Sequence, residues 1–494
     1  MKLSQLKRTL PGARSHNFHD REIRSITCDS RGRCDSGLFI AIRGEKQDGH
    51  PFAVDARANG AGAVVVEHKL DLPADTPQIV VQDTRVAAAL LSDKFFGQPS
   101  RSLTLVGVTG TNGKTSTSWM LRSILEAAGH STGLLGTVQY LAGRRCIPAR
   151  NTTPSPVEIN SMLAEMVQAG QKHAVMEVSS HALVQKRTLG LAFDGAVFTN
   201  LTDKEHLDYH KTFAAYRDAK CLLFEALPET SFAAINIEDP SAGFICQRTS
   251  ASVITYGVCR EADVRAIITG STMAGTHFEL YTPAGMTEIE ASFFGRYNVS
   301  NAAAAATAAL GMGVGIDAIK QGLEEYEGTP GRLEVIDCGQ DFSVLVDYAH
   351  SADALANVMA TLREVAPARV IAVFGCGGDR DTSKRPEMGR IAAKYADYFV
   401  LTADNSRTER TQDIIAQIEA GTGGCDHYDV EPDRTAAIRL AVGQAQPGDV
   451  VLIAGKGHET YQVTGNTSVP YDDRRQAQEA LQQLGMTKLK ATVA

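Results

Sequence analysis

The sequence has little of several features that would place it in a specialised class of protein. Aromatic residues make up only 6% of the chain, and it contains a single tryptophan. Lys and Arg number 49 against 57 Asp and Glu, which gives a net charge of −8. A nucleic-acid groove usually combines a basic stripe with aromatic stacking residues. We therefore expect no nucleic-acid partner.

Long apolar stretches and paired cysteine motifs are also lacking. No apolar run approaches the length that spans a bilayer, and the opening MKLSQLKRTLPGARSHNFHD has no apolar core of a signal peptide. The nine cysteines form no C-x-x-C motif, and an odd number suits reduced thiols. These patterns predict a cytoplasmic protein without a membrane partner, and its 494 residues are enough for about three domains.

The segment GVTGTNGKTSTSW has the pattern of a phosphate-binding loop between a strand and a helix. Gly110 and Gly113 let the backbone approach an anion, Lys114 adds a positive charge, and Thr115 offers a hydroxyl to Mg²⁺. The strict G-x-x-x-x-G-K-[ST] pattern requires glycine where this chain has Val108. An ordinary glycine-rich turn is therefore the alternative.

Strand-like apolar runs alternate with segments of helical length through most of the chain. The early runs are GLFIAIRG and AGAVVVE, the central ones are residues 103–108, 173–178, 195–200 and 231–236, and the late ones are ARVIAVFG, DYFVLTAD and DVVLIAGKG. Such alternation predicts mostly parallel, doubly wound sheets. Turn-rich breaks at GQPSRS and YEGTPGRLE predict three domains, at 1–98, 99–331 and 332–494.

Two central stretches carry polar residues close to predicted strands. MEVSSHALVQKR places Glu177 near the end of a buried strand, where a carboxylate needs either Mg²⁺ or structural hydrogen bonds. TNLTDKEHLDYH offers His206 and His210 but lacks the glutamate that follows the first histidine of a zinc protease motif. A pair of partly buried histidines is the simpler interpretation of that stretch.

A lysine lies beside the apolar stripe of a predicted amphipathic helix, AYRDAKCLLFEAL. Taken alone, this Lys220 would be a lysine whose stem covers apolar surface while its charge reaches water.

Three late stretches follow predicted strands: FGCGGDRDTSKRP, TADNSRTER and AGKGHE. They bring Arg380, Arg407, Lys456 and His458 to one edge of the sheet, where ligands of such sheets gather. Cations at that edge suit a carboxylate or phosphate ligand.

Taken together, these stretches resemble the Mur ligases over essentially the whole chain. The matching motifs, in the order of the family, are CDSRGRCDSGLFIAIRGEKQDGHPF, GTNGKT, NTTPSP, MEVSSHALVQKR, HLDYH, DAK, GRYNVSN, DYAHSADAL, GCGGDRD, DNSR and GKGHE. The resemblance implies an α/β fold of three domains: a smaller N-terminal α/β domain, a central phosphate-loop domain with a doubly wound, mostly parallel sheet, and a C-terminal Rossmann-like α/β domain. It also explains Val108, because the family keeps GTNGK[ST] without the first glycine.

The motifs are most similar to the members that add the third amino acid of the peptidoglycan peptide. The resemblance implies a monomeric, ATP-dependent, ADP-forming ligase that joins meso-2,6-diaminopimelate to UDP-N-acetylmuramoyl-L-alanyl-D-glutamate (UDP-MurNAc-L-Ala-D-Glu) through an acyl phosphate, with Mg²⁺ as cofactor. It further implies that Lys220 is carbamylated and joins Glu177 and His206 around a metal ion. Diaminopimelate-adding members usually have proline at the position of Ser406, so L-lysine is the alternative amino acid. More distant alternatives are a folylpolyglutamate synthetase and a non-catalytic nucleotide-binding paralogue.

Site residues follow from the resemblance by matching positions. The implied catalytic residues are Lys114, Glu177, His206 and Lys220, and the implied metal ligands are Thr115, Glu177, His206 and Lys220 as a carbamate. The implied ATP-binding residues are Gly110, Thr111, Asn112, Gly113, Lys114, Thr115, Ser116, Asn298, Asn301 and His350. The implied UDP-substrate residues are Ser30, Glu45, Lys46, Gln47, Asn151, Thr152, Thr153, Ser179, Gln185 and Arg187. The implied amino-acid-binding residues are Arg380, Asp404, Asn405, Ser406, Arg407, Gly455 and Glu459.

Overall fold

The structure is a computed structural model that describes residues 1–44, 47–202 and 207–486. Its contacts group the chain into two compact units. The first unit comprises residues 1–265, 282–285 and 301–322, and the second comprises residues 266–281, 286–300 and 323–494.

The first unit begins with a five-stranded sheet of order β1-β5-β4-β3-β2, parallel except for β1. Its strands are β1 Arg14–His16, β2 Ile26–Thr27, β3 Gly37–Ile40, β4 Ala61–Val66 and β5 Gln78–Val80, and its helices are α1 Leu3–Lys7, α2 Ala53–Ala58 and α3 Thr84–Phe95, with a 3₁₀ turn at His50–Phe52. Leu38 and Val65 pack on one face of this sheet, while Phe39 and Val64 pack on the other. Burial of both faces is typical of a parallel sheet.

A larger sheet follows in the same unit, in the order β13-β12-β11-β6-β10-β7-β8-β9. Its strands are β6 Thr104–Thr109, β7 Thr132–Leu135, β8 Gln139–Ala142, β9 Arg145–Pro148, β10 His173–Glu177, β11 Gly195–Phe198, β12 Phe232–Asn236 and β13 Ser252–Gly257. The pairs are parallel as far as β7, and β8 and β9 add an antiparallel edge. The carboxyl ends of β6, β10 and β11 therefore lie side by side, and each is followed by a polar loop.

Helices cover this sheet and connect its strands. They are α4 Lys114–Ala127, α5 Pro156–Gln168, α6 Ser180–Val184, α7 Leu207–His210, α8 Phe213–Glu225 and α9 Ala242–Cys246, with a 3₁₀ turn at Pro99–Ser102. Helix α5 shows why a helix starts where it does: Ser155 and Glu158 form a capping box, and Pro156 occupies the first helical position. The core contains side chains from both strands and helices, including Met176, Phe198 and Phe224.

The next elements along the chain are three neighbouring strands and two helices. They are β14 Val264–Thr272, β15 Gly275–Thr282, β16 Gly285–Ala291, α10 Arg296–Gly311 and α11 Ile316–Glu324. Alanine-rich α10 is packed closely, since all seven of its alanines, from Ala302 to Ala309, are fully buried.

The second unit contains a six-stranded sheet of order β17-β18-β22-β19-β20-β21, parallel except for β17. Its strands are β17 Glu334–Val335, β18 Ser343–Asp347, β19 Val370–Phe374, β20 Tyr398–Leu401, β21 Tyr428–Val430 and β22 Val450–Ala454, followed by the hairpin β23 Tyr461–Thr464 and β24 Thr467–Pro470. Its helices are α12 Ala352–Val365, α13 Lys384–Tyr395, α14 Thr411–Glu419, α15 Arg434–Gln444 and α16 Asp473–Gln483. Apolar clusters cover both faces of this sheet.

The predicted fold class is confirmed: three mostly parallel α/β sheets succeed one another along the chain. Each predicted central and late strand is present within about three residues of its predicted ends. The exact domain boundaries at 98 and 331 stay a prediction.

Candidate active site

The phosphate loop lies between β6 and α4, at the carboxyl edge of the central sheet. Gly110 and Gly113 have φ of 151° and 85°, values that side chains rarely allow. A Cβ atom at Gly110 would lie 1.9 Å from the hydroxyl of Thr199, and one at Gly113 would lie 2.3 Å from Oδ1 of Asn301. The loop therefore needs glycine at both positions.

Hydrogen bonds hold the rest of the loop. The N–H groups of Thr111 and Asn112 donate to the carbonyl oxygen and side-chain Oδ1 of Asn200, at 2.8 and 2.9 Å. Nζ of Lys114 donates to the carbonyl oxygens of Gly110 and Thr111, at 2.9 and 2.8 Å. The ammonium of Lys114 thus lies directly over the loop that would receive a phosphate. Thr115 and Ser116 are buried in the first turn of α4.

Glu177 is fully buried at the end of β10, beside this loop. Its Oε2 accepts from the hydroxyls of Thr115 and Thr137 at 3.0 and 2.8 Å, and its Oε1 accepts from the Thr137 N–H at 2.8 Å. Hydrogen bonds from the protein therefore satisfy both oxygen atoms of this carboxylate, which matches the structural alternative given by the sequence. The Thr137 hydroxyl is also 3.1 Å from that of Thr152, which links the phosphate loop to the NTTPSP segment.

Lys220 is 1% exposed, so it is not the surface lysine that its helix alone would suggest. Its Nζ donates to the carbonyl oxygen of Gly110 at 2.7 Å and lies 4.8 Å from the ring centroid of Tyr216. Tyr216 is buried too, and its hydroxyl is 3.0 Å from that of Thr111. Strand β6 and helix α8 thus bring Lys220 against the phosphate loop, 110 residues away in sequence.

The two histidines of HLDYH have different outcomes. His206 lies outside the described residues. His210 is buried, and its Nε2 is 2.9 Å from the hydroxyl of Ser180. Within residues 1–44, 47–202 and 207–486, no group of three or more His, Cys, Asp and Glu side chains could hold a metal ion.

The residues expected to hold the sugar peptide gather in one place. Thr153 donates its hydroxyl to the Glu177 carbonyl at 2.9 Å and accepts from the Ser179 N–H at 3.0 Å. Arg187 donates to the Thr153 carbonyl at 2.7 Å and to Oε1 of Gln185 at 2.6 Å. Burial lowers the pKa of the Arg187 guanidinium, although the nearby Glu158 opposes that shift.

Asn151 and Thr152 lie at the start of the same cluster. The Tyr140 hydroxyl donates to the Asn151 carbonyl at 2.6 Å, which fixes the backbone of that segment. The structure thus brings together all six residues that the resemblance implied here.

A cavity of 930 Å³ lies in the N-terminal part of the first unit. Ser30 and Gln47, both expected to contact the UDP end, line it together with Asp29 and Arg31, which were not predicted. Hydrogen bonds from Arg31 lower the pKa of Asp29 to about 2. Glu45 and Lys46, the other two expected residues, lie outside the described residues.

Three residues expected to line the nucleotide pocket fall in different parts of the chain. Asn298 and Asn301 lie on α10, and His350 follows β18 in the second unit. Nδ2 of Asn298 donates to the Phe294 carbonyl at 3.0 Å, and Nδ1 of His350 is 2.8 Å from the Tyr348 carbonyl oxygen. Their joint role in one nucleotide pocket stays a prediction.

Four residues, Arg380, Arg407, Lys456 and His458, were predicted to present positive charge at one edge of the sheet in the second unit. Only the two arginines can present that charge to a ligand. Lys456 is fully buried, and its Nζ contacts Oδ1 of Asn405 at 3.0 Å, Glu459 at 3.2 Å and Asp404 at 3.5 Å. Burial raises the pKa of Asp404, but the charges of Lys456 and Arg434 outweigh it, so the net pKa lies below the ordinary value. Lys456 therefore supports the loop from below, which corrects its expected role as a ligand-facing cation.

His458 is the second correction at this edge. Burial, with the nearby cations Arg332 and Arg474, lowers the pKa of His458 to about 4. Its imidazole is thus neutral at neutral pH and packs against the ring of Tyr348, 4.9 Å between centroids. Arg380 and Arg407 remain as the cations of the set that can face a ligand. Nη1 of Arg407 donates to the Gly378 carbonyl at 2.7 Å, which joins the GCGGDRD and DNSR loops.

Three family models match successive parts of the chain. The Mur ligase family catalytic domain matches residues 22–96, the Mur ligase middle domain matches residues 108–309, and the Mur ligase glutamate ligase domain matches residues 331–457. The chain belongs to the Mur ligase family.

Curated and solved Mur ligases extend this match to nearly the full length. The chain is 44% identical, over 98% of its length and 100% of the relative, to UDP-N-acetylmuramoyl-L-alanyl-D-glutamate–2,6-diaminopimelate ligase of Geobacillus kaustophilus. A solved structure of a ligase with that name is 32% identical, with a TM-score of 0.67, and covers 94% of this chain and 96% of its own. Folylpolyglutamate synthase of Mycobacterium tuberculosis, complexed with ADP and AMPPCP, covers 76% of this chain and 92% of its own at 19% identity and a TM-score of 0.62, which shows a shared fold alone.

Several site residues of this Mur ligase were missed at the sequence level. Thr137 donates to Glu177, Tyr216 lies within hydrogen-bond distance of Thr111 in the phosphate loop, and Arg385 pairs with Glu409 beside the GCGGDRD and DNSR segments. The available signal for Glu409 was a charged residue that follows the DNSR segment closely.

In the part of the chain that the structure describes, no helix is long and apolar enough to cross a membrane.

Proposed function

We propose that this Mur ligase joins meso-2,6-diaminopimelate to UDP-MurNAc-L-Ala-D-Glu at the expense of ATP. The observation that carries the proposal is the hydrogen-bond chain through Glu177. It joins the hydroxyl of Thr115 in the phosphate loop to Thr137, and through it to Thr152 in the sugar-peptide cluster. The loop suited to a nucleotide phosphate and the cluster expected to hold the substrate carboxylate are therefore neighbours.

The proposed reaction has two balanced steps. A carboxylate oxygen of the D-glutamyl residue attacks the γ-phosphorus of ATP, which forms an acyl phosphate and releases ADP. The amine of the incoming amino acid then attacks the acyl carbon, so that an amide forms and inorganic phosphate leaves. Acyl phosphates are activated because phosphate is a far better leaving group than hydroxide.

The residues of the phosphate loop support the first step. The first turn of α4 aims backbone N–H groups at the site of the phosphates, and the ammonium of Lys114 is already within 3 Å of two loop carbonyls. On binding ATP, Lys114 would exchange these carbonyls for phosphate oxygens. Arg187, half-buried beside Thr153, is suited to orient the carboxylate that attacks.

The oxygen donors beside the phosphate loop fit Mg²⁺. The Thr115 hydroxyl and the Glu177 carboxylate lie 3.0 Å apart, and hard oxygen ligands are those that Mg²⁺ prefers. When bound, Mg²⁺ would offset the negative charge on the phosphates. Lys220 would contribute to such a site only as a carbamate, which forms when its neutral amine adds carbon dioxide and loses a proton. Its burial against Gly110 supports a role at this site rather than at the surface.

Three further observations support the substrate assignment. The 930 Å³ cavity lined by Ser30 and Gln47 is large enough for a nucleoside diphosphate group. The relatives over the full length carry diaminopimelate in their names. The folylpolyglutamate synthase match leaves about a quarter of this chain uncovered, which disfavours that alternative. L-lysine remains the competing amino acid because of Ser406.

We further propose that the protein acts in the cytoplasm as a monomer.

Phosphate release and product mass test the proposal together. The purified protein is mixed with ATP, Mg²⁺ and UDP-MurNAc-L-Ala-D-Glu, and a panel of meso-diaminopimelate, L-lysine, L-ornithine and D-alanine is added one at a time. We expect phosphate release only with both the UDP substrate and diaminopimelate, together with the mass of the UDP-MurNAc-tripeptide. Phosphate release that is independent of the UDP substrate, or none with any amino acid, would overturn it.

A further inference from the structure

An ion pair between a buried arginine and a partly exposed glutamate lies beside the two loops that carry Arg380 and Arg407. Arg385, at the start of α13, is fully buried, and its Nη1 and Nη2 donate to the two carboxylate oxygens of Glu409 at 2.8 and 2.9 Å. Nη1 also donates to Oε1 of Gln417 at 2.8 Å. Bidentate pairing of this kind fixes the orientation of both side chains. These hydrogen bonds to Glu409 lower the pKa of its carboxyl to about 2, so the pair stays charged.

The same pair contacts the GCGGDRD loop. Nη2 of Arg385 donates to the Gly377 carbonyl at 3.1 Å, and Oε1 of Glu409 accepts from the Asp379 N–H at 2.6 Å. Thr408, next to Glu409, donates its hydroxyl to Asp379 at 2.5 Å. The ion pair therefore connects the backbone of one loop to a side chain of the other.

The two loops also touch each other at Gly378. Its N–H donates to the Asn405 carbonyl at 2.9 Å, and its carbonyl accepts from Arg407 at 2.7 Å. A Cβ atom at Gly378 would lie 1.9 Å from the Ser406 carbonyl oxygen, so no side chain fits between the loops. The guanidinium of Arg407 is thus positioned by the neighbouring loop.

Each loop holds one non-glycine residue in the left-handed region. Asp379 has φ of 54° and Arg407 has φ of 51°. Such backbone is strained for residues other than glycine and persists where surrounding contacts fix it. Glu409 and Thr408 fix Asp379 through the hydrogen bonds given above. At Arg407 the N–H donates to the Val463 carbonyl at 3.2 Å, and the carbonyl accepts from the Gly465 N–H at 2.6 Å.

We propose that the Arg385–Glu409 ion pair is a positioning device that holds Arg407 ready for the far carboxylate of the incoming amino acid. The inference rests on the proposed function and deepens it, because it assigns the selectivity for a second carboxylate to residues below the ligand site. Removal of the pair leaves Arg407 in the chain but frees the GCGGDRD loop, whose Gly378 carbonyl holds the Arg407 guanidinium. Recognition of the amino acid therefore weakens, while ATP and UDP-substrate recognition stays unchanged.

The test compares Glu409→Gln and Arg385→Met with the unmutated full-length protein. Steady-state kinetics give KM and kcat for diaminopimelate, lysine, ATP and the UDP substrate. We expect the KM for diaminopimelate to rise about tenfold and the diaminopimelate-to-lysine ratio of kcat/KM to fall at least about fivefold. The KM values for ATP and the UDP substrate should stay within about twofold. Glu409→Gln keeps an acceptor for the Asp379 N–H and serves as the second variant if Arg385→Met fails to fold.

Two comparisons separate positioning from general stability. Arg369→Met removes another ion pair with several hydrogen bonds, the one with Asp449. This pair lies at the amino ends of β19 and β22, away from the two loops. The substitution should lower the melting temperature without changing selectivity. Arg407→Ala should retain a small residual selectivity. Adding Glu409→Gln to that variant should not change this residual selectivity, because both substitutions act through the Arg407 guanidinium.

Several results would overturn the inference. These are unchanged selectivity in folded Glu409→Gln, equal increases in KM for all three substrates, or additive losses of selectivity in the double variant. If the unmutated protein uses lysine instead of diaminopimelate, the proposed substrate is wrong, and the inference is then wrong as well because there is no far carboxylate to position. If the unmutated protein uses diaminopimelate and the variants retain selectivity, only the inference fails.

Discussion

Lys114 and Lys220 donate to the same acceptor, the carbonyl oxygen of Gly110, at 2.9 and 2.7 Å. A carbonyl oxygen has two lone pairs and can accept both hydrogen bonds, yet two ammonium groups on one atom repel each other. Conversion of Lys220 to a carbamate would replace this repulsion by attraction. Two lysines from different helices thus meet at one atom of the phosphate loop, and we propose different roles for them.

We expect Lys220→Ala to lower ligation by at least about a hundredfold, because the proposed anion beside the phosphate loop is lost. Short carboxylates or bicarbonate should restore part of the rate by occupying the space of the side chain. ADP release with and without added acetate or bicarbonate, over a series of concentrations, measures this.

Lys114→Ala is the matched comparison for that experiment. It removes the other ammonium on Gly110, should be equally inactive, and should show no rescue by carboxylates, because a cation is missing there. Rescue of both variants, or full activity of Lys220→Ala, would contradict the different roles.

Glu177 should be essential for turnover and less so for stability. Glu177→Gln keeps the shape but removes the charge that accepts from Thr115 and Thr137, so we expect turnover to fall by roughly 10²-fold or more. Hydrogen bonds to a charged group contribute about 1.5–3 kcal/mol, and the amide retains part of them, so destabilisation should be about 1–2 kcal/mol.

Glu165→Gln is the control for Glu177→Gln. Glu165 is a partly exposed carboxylate of α5 that pairs with Arg145 at 2.8 Å. Its substitution should leave ADP release and the melting temperature nearly unchanged. A normal rate in Glu177→Gln would mean that its carboxylate is purely structural.

Patterns that are continuous in the sequence predicted the fold well. The strands 173–177 and 370–374 were found from apolar runs bounded by turns, and the phosphate loop from adjacent glycines and Lys114. Contacts between distant residues could not be read in this way. Tyr216 lies 105 residues from Thr111, and Thr137 lies 40 residues from Glu177, so their roles emerge only from the folded chain.

Burial was the second property that motifs did not reveal. The segment AGKGHE correctly marked the end of a strand, but its lysine was expected to face a ligand. Lys456 instead points inward because Asp404 and Glu459 provide carboxylates within 3.5 Å. A cation in a motif predicts a charged partner, and only the packing decides whether that partner is a ligand or the protein.

His458 should stay uncharged well below neutral pH. The groups that face it are Arg332, Arg474 and His350, and burial with these cations lowers the pKa of His458 to about 4 from the ordinary 6.5. Between these values the unfolded chain binds a proton that the folded protein does not bind. Stability should therefore fall as pH drops from about 6.5 toward 4, by about 1–2 kcal/mol at pH 5 from this residue.

NMR spectra of protein with isotope-labelled histidine, recorded over a pH series, measure the pKa of His458 directly. The imidazole resonance assigned by its loss in His458→Gln should show its midpoint near pH 4. The variant should also lose less stability between pH 7 and pH 5 than the unmutated protein. A midpoint above pH 6 for His458 would show that its surroundings do not disfavour the charge.

The choice between diaminopimelate and lysine depends on Arg407 and Ser406. The far carboxylate of diaminopimelate can pair with a guanidinium, whereas lysine would leave Arg407 unpaired in a closed site, at a penalty of about 2–5 kcal/mol. The protein bonds of the Arg407 guanidinium both leave from Nη1, to the carbonyls of Gly378 and Asn405, so its other nitrogen atoms can meet a ligand. Ser406 is buried, so the turn is held by packing even without proline.

We therefore expect a preference for meso-diaminopimelate over L-lysine of at least roughly a hundredfold in kcat/KM, most of it lost in Arg407→Ala. Arg410→Ala, three residues further along and exposed, should retain the preference. Equal kcat/KM values for the two amino acids in the unmutated protein would instead favour lysine as the substrate.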